Sequence, residues 1–251
     1  MSTPRVIPVI LLTDSGMVKT TKFSDPIYIG DPINAVRIFN AKEVDEIVVL
    51  DIDASRSGRE PNFERIEQIA SEAFMPLGYG GGVKTTQQME RLFKIGIEKV
   101  VINTVIHEKP SILHEASQIF GSQSVVASID VKKDIFGRYV VYSECGKKRE
   151  NSDLNSYISF VQEQGAGEII LNSIDKDGTM SGYDLKLISK VSDQLRVPLV
   201  TLGGARSVKD FDDALEAGAS SVAAGSMFVF HGRHKAVLIS YISPDKLNGV
   251  Y

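Results

Sequence analysis

Cysteine is nearly absent: Cys145 is the only one in 251 residues. A lone thiol excludes an intrachain disulfide and a cysteine-based metal site, and it fits a reducing cytoplasm. Long apolar runs are absent too. No segment approaches the roughly 20 residues of a membrane span. The opening MSTPRVIPVILL passes from a short apolar run straight into a polar turn, which is not a signal-peptide layout. Basic excess is missing: the net charge is −4, and lysines and arginines are dispersed, so neither nucleic acid nor an anionic membrane is indicated. The four histidines, His107, His114, His231 and His234, show no metal spacing. No G-x-S-x-G occurs, and no G-x-G-x-x-G follows a strand, so neither a hydrolase elbow nor a nicotinamide cofactor is expected. No cofactor and no metal is expected.

What remains is ordinary globular composition, 43% hydrophobic and 24% charged. Short β-branched runs alternate with amphipathic stretches. Strands are predicted at Val6–Leu12, Glu46–Ile52, Pro76–Tyr79, Lys99–Ile102, Ser124–Val131, Glu168–Ser173, Pro198–Thr201 and Ser221–Ala224. Helices are predicted at Asp31–Ala41, Asn62–Ala73, Thr85–Ile95, Ser111–Phe120, Ser152–Gln164, Asp184–Gln194, Ser207–Ala217 and His234–Ile242. Near-continuous apolar strands argue for a parallel sheet covered by helices. Eight strands and eight helices predict a single (β/α)8 TIM barrel over 1–251. Phe136-Gly137 predicts a hairpin turn, hence a small β-ribbon after strand five.

The chain also repeats itself. PLGYGGGVKTTQQMERLFKIGIEKVVINT from Pro76 aligns without a gap with PLVTLGGARSVKDFDDALEAGASSVAAGS from Pro198. DIDASRSG from Asp51 lies over DKDGTMSG from Asp175. Two half-barrels, about 1–122 and 123–251, are therefore expected. Setting Val6 on Val125 places Leu11 on Asp130. One half ends its first strand in a carboxylate and the other in leucine.

Two glycine loops, Gly80-Gly81-Gly82 and Gly203-Gly204, follow strands three and seven and lead into helices. Asn103-Thr104 and Gly225-Ser226 close the next strands. Exposed backbone amides and helix N-termini in such loops suit two phosphates, so a substrate phosphorylated at both ends is expected. Glycine serving tight turns alone is the plainer alternative. Asp51, Asp130 and Asp177 stand at strand tops, where general acid/base groups of this fold reside, with Asp53 and Asp175 placed less firmly. At the other end, Arg5, Glu46, Lys99 and Glu168 open strands one, two, four and six. Two positive and two negative charges could close the floor as an ion-pair ring, and stability alone would explain that.

The blocks RVIP, GDPINAVRI, DEIVVLDIDAS, PLGYGGGVK, VVINT, FGSQSVVASID, GAGEIILNSIDKDGTMSGYD and GGARS resemble, in order, the cyclase subunit of imidazole glycerol phosphate synthase (HisF) of histidine biosynthesis. The resemblance runs from Arg5 to about Phe230. It implies a lyase/cyclase subunit that receives ammonia from a glutaminase docked on the bottom face. Arg5, Glu46, Lys99 and Glu168 would be the ammonia gate. Asp130 would be one catalytic carboxylate. Lys19, Asp51, Asn103, Thr104, Asp177, Gly178 and the glycine loops with Gly225 and Ser226 would bind a phosphorylated substrate.

Several positions depart from the family pattern. The second catalytic aspartate is Leu11, a usual cysteine is Val9, a polar residue after strand seven is Leu202, and a usual threonine is Asn172. The strand-one loop lacks the usual Arg-Asp. That profile resembles HisF-like paralogues of surface-polysaccharide gene clusters, which hand ammonia to an ATP-using sugar amidotransferase. The expectation is an ammonia-passing subunit, a heterodimer with a glutaminase. The alternative is a true cyclase in which Asp14 or Asp51 replaces the missing acid.

Overall fold

The computed structural model describes residues 4–232 and 234–247. Eight parallel strands form the barrel: β1 Val6–Thr13, β2 Ile47–Asp51, β3 Leu77–Gly80, β4 Lys99–Ile102, β5 Val125–Lys133, β6 Glu168–Ser173, β7 Leu199–Leu202 and β8 Ser221–Ala224. Each pairs with the next in sequence. Val6 opposite Val222 joins β1 to β8, and Asn172 opposite Asp130 joins β6 to β5, so the sheet closes on itself. The predicted TIM barrel is observed.

Pleating turns alternate residues to opposite faces of each strand. On β1, Ile7 and Val9 face the bore while Val6, Ile10 and Leu12 face the helices. Val48, Val101, Val126, Ile170, Val200, Leu202 and Ala223 fill the same bore, with Leu11 and Leu50 packed against its upper end. The outer layer is larger. It includes Phe39, Ile69, Met89, Leu92, Ile158 and Phe211 under the helices. These helices begin where the sequence supplies caps. Asn62 caps Phe63–Ala70, Asp153 caps Leu154–Glu163 and Asp184 caps Leu185–Ser192. Thr85 and Ser207 each build a capping box, with Gln88 and Asp210. Among the described residues, no helix is long and apolar enough to cross a membrane.

The ribbon after β5 is present. Tyr139–Ser143 pairs antiparallel with the upper part of β5 and with Lys148–Arg149, and the first turn has Gly137 at φ +77°. A second ribbon was not expected. Gly16–Thr21 folds back on β1 and pairs with Ser24–Gly30. Its turn residues Lys22 and Phe23 both have positive φ, a two-residue turn that ordinarily favours Asn-Gly. That atypical chemistry hid the hairpin.

The predicted helix His234–Ile242 is not there. After β8 come a four-residue helix, Ser226–Val229, and a small hairpin of Phe230–His231 with Ala236–Val237. Leu238 and Ser240 donate backbone hydrogen bonds to Val229 and Phe228, and Tyr241 reaches the Val6 carbonyl at 3.0 Å. The β-branched and aromatic side chains in AVLISYI suit this extended path, which packs Tyr241 on Phe228.

Candidate functional site

The floor is built by strand parity. Arg5 lies two residues before Ile7, and Glu46, Lys99 and Glu168 lie two before Val48, Val101 and Ile170, so all four point along the bore. Their heads join into one ring. The Arg5 guanidinium bonds Glu46 and, at 2.5 Å, Glu168. Lys99 Nζ lies 2.9 Å from Glu46 and 3.2 Å from Glu168. Glu46 and Glu168 are buried. Burial alone would lower the Arg5 pKa, but Glu168 and Glu46 outweigh it and raise the value. Glu46 Oε1 has no hydrogen-bond partner among the described residues.

At the carboxyl ends of the strands lies a cavity of about 440 Å³. It gathers Leu11, Lys19, Asp51, Asn103, Thr104, Asp130, Asp177, Gly178, both glycine loops, Gly225 and Ser226. Every residue that the family resemblance carries to the top of the barrel therefore lines one space, whereas Asp53 and Asp175 do not. Asp130 is buried, and desolvation with the nearby Asp177 raises its carboxyl to about 7, against donation from Asn172. Asn103 Nδ2 donates to Asp130 Oδ2 at 3.0 Å. Lys19, on the unexpected hairpin, donates from Nζ to the Val9 carbonyl at 2.6 Å. Burial lowers its pKa to about 8, opposed by Asp177. Desolvation also raises Asp177, whose carboxylate accepts from Thr20 Oγ1 at 3.0 Å and from the Phe23 amide at 3.3 Å.

Asp51 has other duties. Its Oδ1 accepts from the amides of Asp53 and Ala54 and caps the short helix Ile52–Ser57. Arg59 bridges Asp51 Oδ2 at 3.1 Å and Asp14 Oδ1 at 2.7 Å. Asp14 has 80% of its side chain exposed and does not line the cavity. Asp53 and Asp175 hold backbone amides of Asp14 and Lys133 outside the cavity. Val9, Leu11, Leu50 and Leu202 form an apolar part of the same cavity wall.

The glycines have a packing reason to be glycine. A Cβ on Gly81 would stand 2.2 Å from the Asp51 carbonyl, and one on Gly204 would stand 2.3 Å from that of Gly182. The long helices after these loops spend their capping boxes on the leading amides: Gln88 accepts from Lys84 and Thr85, and Asp210 from Arg206 and Ser207. The short helices Thr104–Glu108 and Ser226–Val229 have no such side-chain cap at Asn103 or Gly225.

Sequence reasoning missed Thr20, Phe23, Arg56 and Cys145 in the cavity wall. Arg56 Nη2 donates to the Phe23 carbonyl at 3.0 Å, and Cys145 Sγ lies 3.5 Å from the Ile52 carbonyl. These contacts join loops far apart in sequence, so no local pattern marks them.

The closed barrel, with an ion-paired floor and a carboxylate-lined cavity at the strand ends, is a (β/α)8 protein. The chain belongs to the family described as Histidine biosynthesis protein, whose model matches residues 5–235. It is 50% identical over 245 residues to a Pseudomonas aeruginosa protein described provisionally as imidazole glycerol phosphate synthase subunit hisF2, covering 97% of this chain and 98% of that one. A Vibrio vulnificus protein described provisionally as subunit hisF3 is 48% identical over 244 residues, 96% of this chain and 94% of the other. The Petrotoga mobilis imidazole glycerol phosphate synthase subunit HisF is 38% identical over 229 residues, 91% of each chain.

Proposed function

We propose that this HisF-like chain passes ammonia rather than closing an imidazole ring. A glutaminase subunit docks on the floor, and the ring of Arg5, Glu46, Lys99 and Glu168 gates entry to the bore. The ammonia leaves at the top for an ATP-dependent amidotransferase that amidinates a sugar in surface-polysaccharide synthesis. The observation that carries this reading is the pairing of a complete charged floor with Leu11 opposite Asp130. Leucine neither gives nor takes a proton, and loss of one general acid/base typically costs about 10²–10⁴ in rate. The sugar acceptor rests on the resemblance to polysaccharide-cluster paralogues.

A phosphorylated small molecule still fits the top. The uncapped short helices at Thr104 and Ser226, beside Gly81-Gly82 and Gly203-Gly204, offer amides for its two phosphates, with Lys19, Asp51 and Asp177-Gly178 around it. The barrel is one domain of two duplicated halves, and the matching capping boxes at Thr85 and Ser207 support that reading. The alternative, a true cyclase, needs a replacement acid. Asp14 is turned away on Arg59 and Asp51 is committed to a helix cap, so neither is well placed. Imidazole glycerol phosphate formation measured with free ammonium separates the two. Negligible turnover is expected, and robust turnover would overturn the proposal.

A further inference from the structure

Two of the floor charges stand on backbone that the β1–β2 ladder does not reach. That ladder begins with Val9 opposite Val48, and Pro8 has no N–H to extend it downward. Arg5 and Glu46 lie below. Toward β8 the Arg5 backbone is tied, its amide donating to Ser221 Oγ at 3.2 Å and its carbonyl accepting from the Val222 amide at 3.0 Å. Toward β2 the seam is closed by side chains. The Val6 amide donates to Asp45 Oδ2 at 2.9 Å. The Tyr241 hydroxyl lies 3.0 Å from the Val6 carbonyl and 3.1 Å from Asp45 Oδ2, and it accepts from the Asp45 amide at 3.4 Å. Val6 adjoins Arg5 and Asp45 adjoins Glu46, so one hydroxyl and one carboxylate join the backbones that carry the Arg5–Glu46 pair.

Tyr241 comes from the strap that takes the place of the forecast helix. Its ring packs on Phe228 with centroids 5.7 Å apart, and the Ser240 amide donates to the Phe228 carbonyl at 2.8 Å. A hydroxyl has one proton to give. Whichever acceptor takes it, the Val6 carbonyl or Asp45, the bond falls on the same seam. The floor depends on that seam. The Arg5 guanidinium meets both Glu46 and Glu168, and Lys99 Nζ lies 2.9 Å from Glu46. Such contacts ordinarily fall within about 2.7–3.2 Å, so a slip of about 1 Å between the starts of β1 and β2 would take Arg5 and Glu46 out of that range.

We propose that Tyr241 and Asp45 are positioning residues for the charged floor. The strap fixes the start of β1 against the start of β2 and so sets where the Arg5 guanidinium meets Glu46. The proposal rests on the reading of that ring as an ammonia gate and adds what holds the gate in register.

The test is NMR of the Arg5 guanidinium N–H groups in the full chain, read as their rate of exchange with solvent, with a thermal melt alongside. Tyr241→Phe keeps the ring on Phe228 and removes only the hydroxyl. Exchange about tenfold faster than in the wild type is expected, the factor that one lost hydrogen bond typically carries. Asp45→Ala should act in the same direction, and it decides the matter even if Tyr241→Phe does not fold. Tyr183→Phe is the control. It removes another buried hydroxyl, which donates to the Ala223 carbonyl at 2.8 Å on β8, outside the β1–β2 seam, and it should leave Arg5 exchange unchanged. Unchanged Arg5 exchange in either folded variant, or an equal acceleration in Tyr183→Phe, would overturn the assignment. With the glutaminase, Tyr241→Phe should also lower the ammonia delivered per glutamine hydrolysed, and Tyr183→Phe should not. If Lys99→Ala disturbs that coupling while Tyr241→Phe leaves Arg5 exchange as in the wild type, the positioning role fails and the gate stands. Unchanged coupling in Lys99→Ala would instead remove the gate itself.

Discussion

Lys99 Nζ lies 3.2 Å from both carboxylate oxygens of Glu168, reaching past the intervening β5 to do so. The same ammonium group holds Glu46 at 2.9 Å. One side chain thus ties two carboxylates on opposite sides of the floor, and Arg5 ties the same two.

Lys99→Ala is expected to disturb the coupling of glutamine hydrolysis to ammonia delivery while leaving the barrel folded. Breaking a buried ion pair typically costs about 3–5 kcal/mol. The cost is expected below that range here, because Arg5 still covers both carboxylates. Coupling assayed with the glutaminase, alongside a thermal melt, reads both effects. Unchanged coupling would refute the gate.

Leu11→Asp should not create a fast cyclase. The new carboxylate would face Val9, Leu50 and Leu202, where burial favours its neutral form. Less than a tenfold gain in imidazole glycerol phosphate formation with free ammonium is expected. A gain near 10² would show that the missing acid alone silenced the site.

Asp130 and Lys19 should leave opposite marks on stability against pH. The folded Asp130 carboxyl, at about 7, is above its unfolded value, so burial of the charged form weakens the fold as pH rises from about 4 to 7. Asp130→Asn should match the wild type near pH 4 and exceed it at pH 8, by about 4 kcal/mol at most. Lys19, at about 8, is below its unfolded value, so its penalty fades as pH rises from about 8 to 10. The advantage of Lys19→Met over the wild type should shrink across that window. Urea unfolding at several pH values tests both, and parallel curves for wild type and variants would reject these environments.

Gly81→Ala should be far costlier than Gly137→Ala, though both positions have positive φ. A Cβ on Gly81 meets backbone at 2.2 Å, whereas one on Gly137 meets nothing within 4 Å. Roughly 1–2 kcal/mol is expected at Gly137 from the left-handed backbone alone, and clearly more at Gly81. Equal losses in chemical denaturation would contradict the close packing of the β3 loop on Asp51.

Much of this molecule is readable locally. Arg5, Ile7, Val9 and Leu11 share parity on one strand, so placing Arg5 at the floor forces Leu11 to the top. The same rule takes Lys99 through Val101 to Asn103, and Glu168 through Ile170 to Asn172. Period-two alternation therefore sufficed to read the barrel and to bring the four floor charges together. The helix forecast at His234–Ile242 failed because its apolar residues serve an extended strap whose partners, Val6, Phe228 and Val229, lie elsewhere in the chain.

Tertiary structure alone decided what each carboxylate does. Asp14, Asp51, Asp130 and Asp177 look alike in sequence. Only the fold sets Arg59 between Asp14 and Asp51, spends Asp51 on a helix cap and buries Asp130 between two asparagines. The physical reason is one of range. Side-chain direction along a strand is fixed by the backbone of its nearest neighbours, whereas desolvation and charge pairing depend on groups brought within a few ångströms by the closing of the barrel.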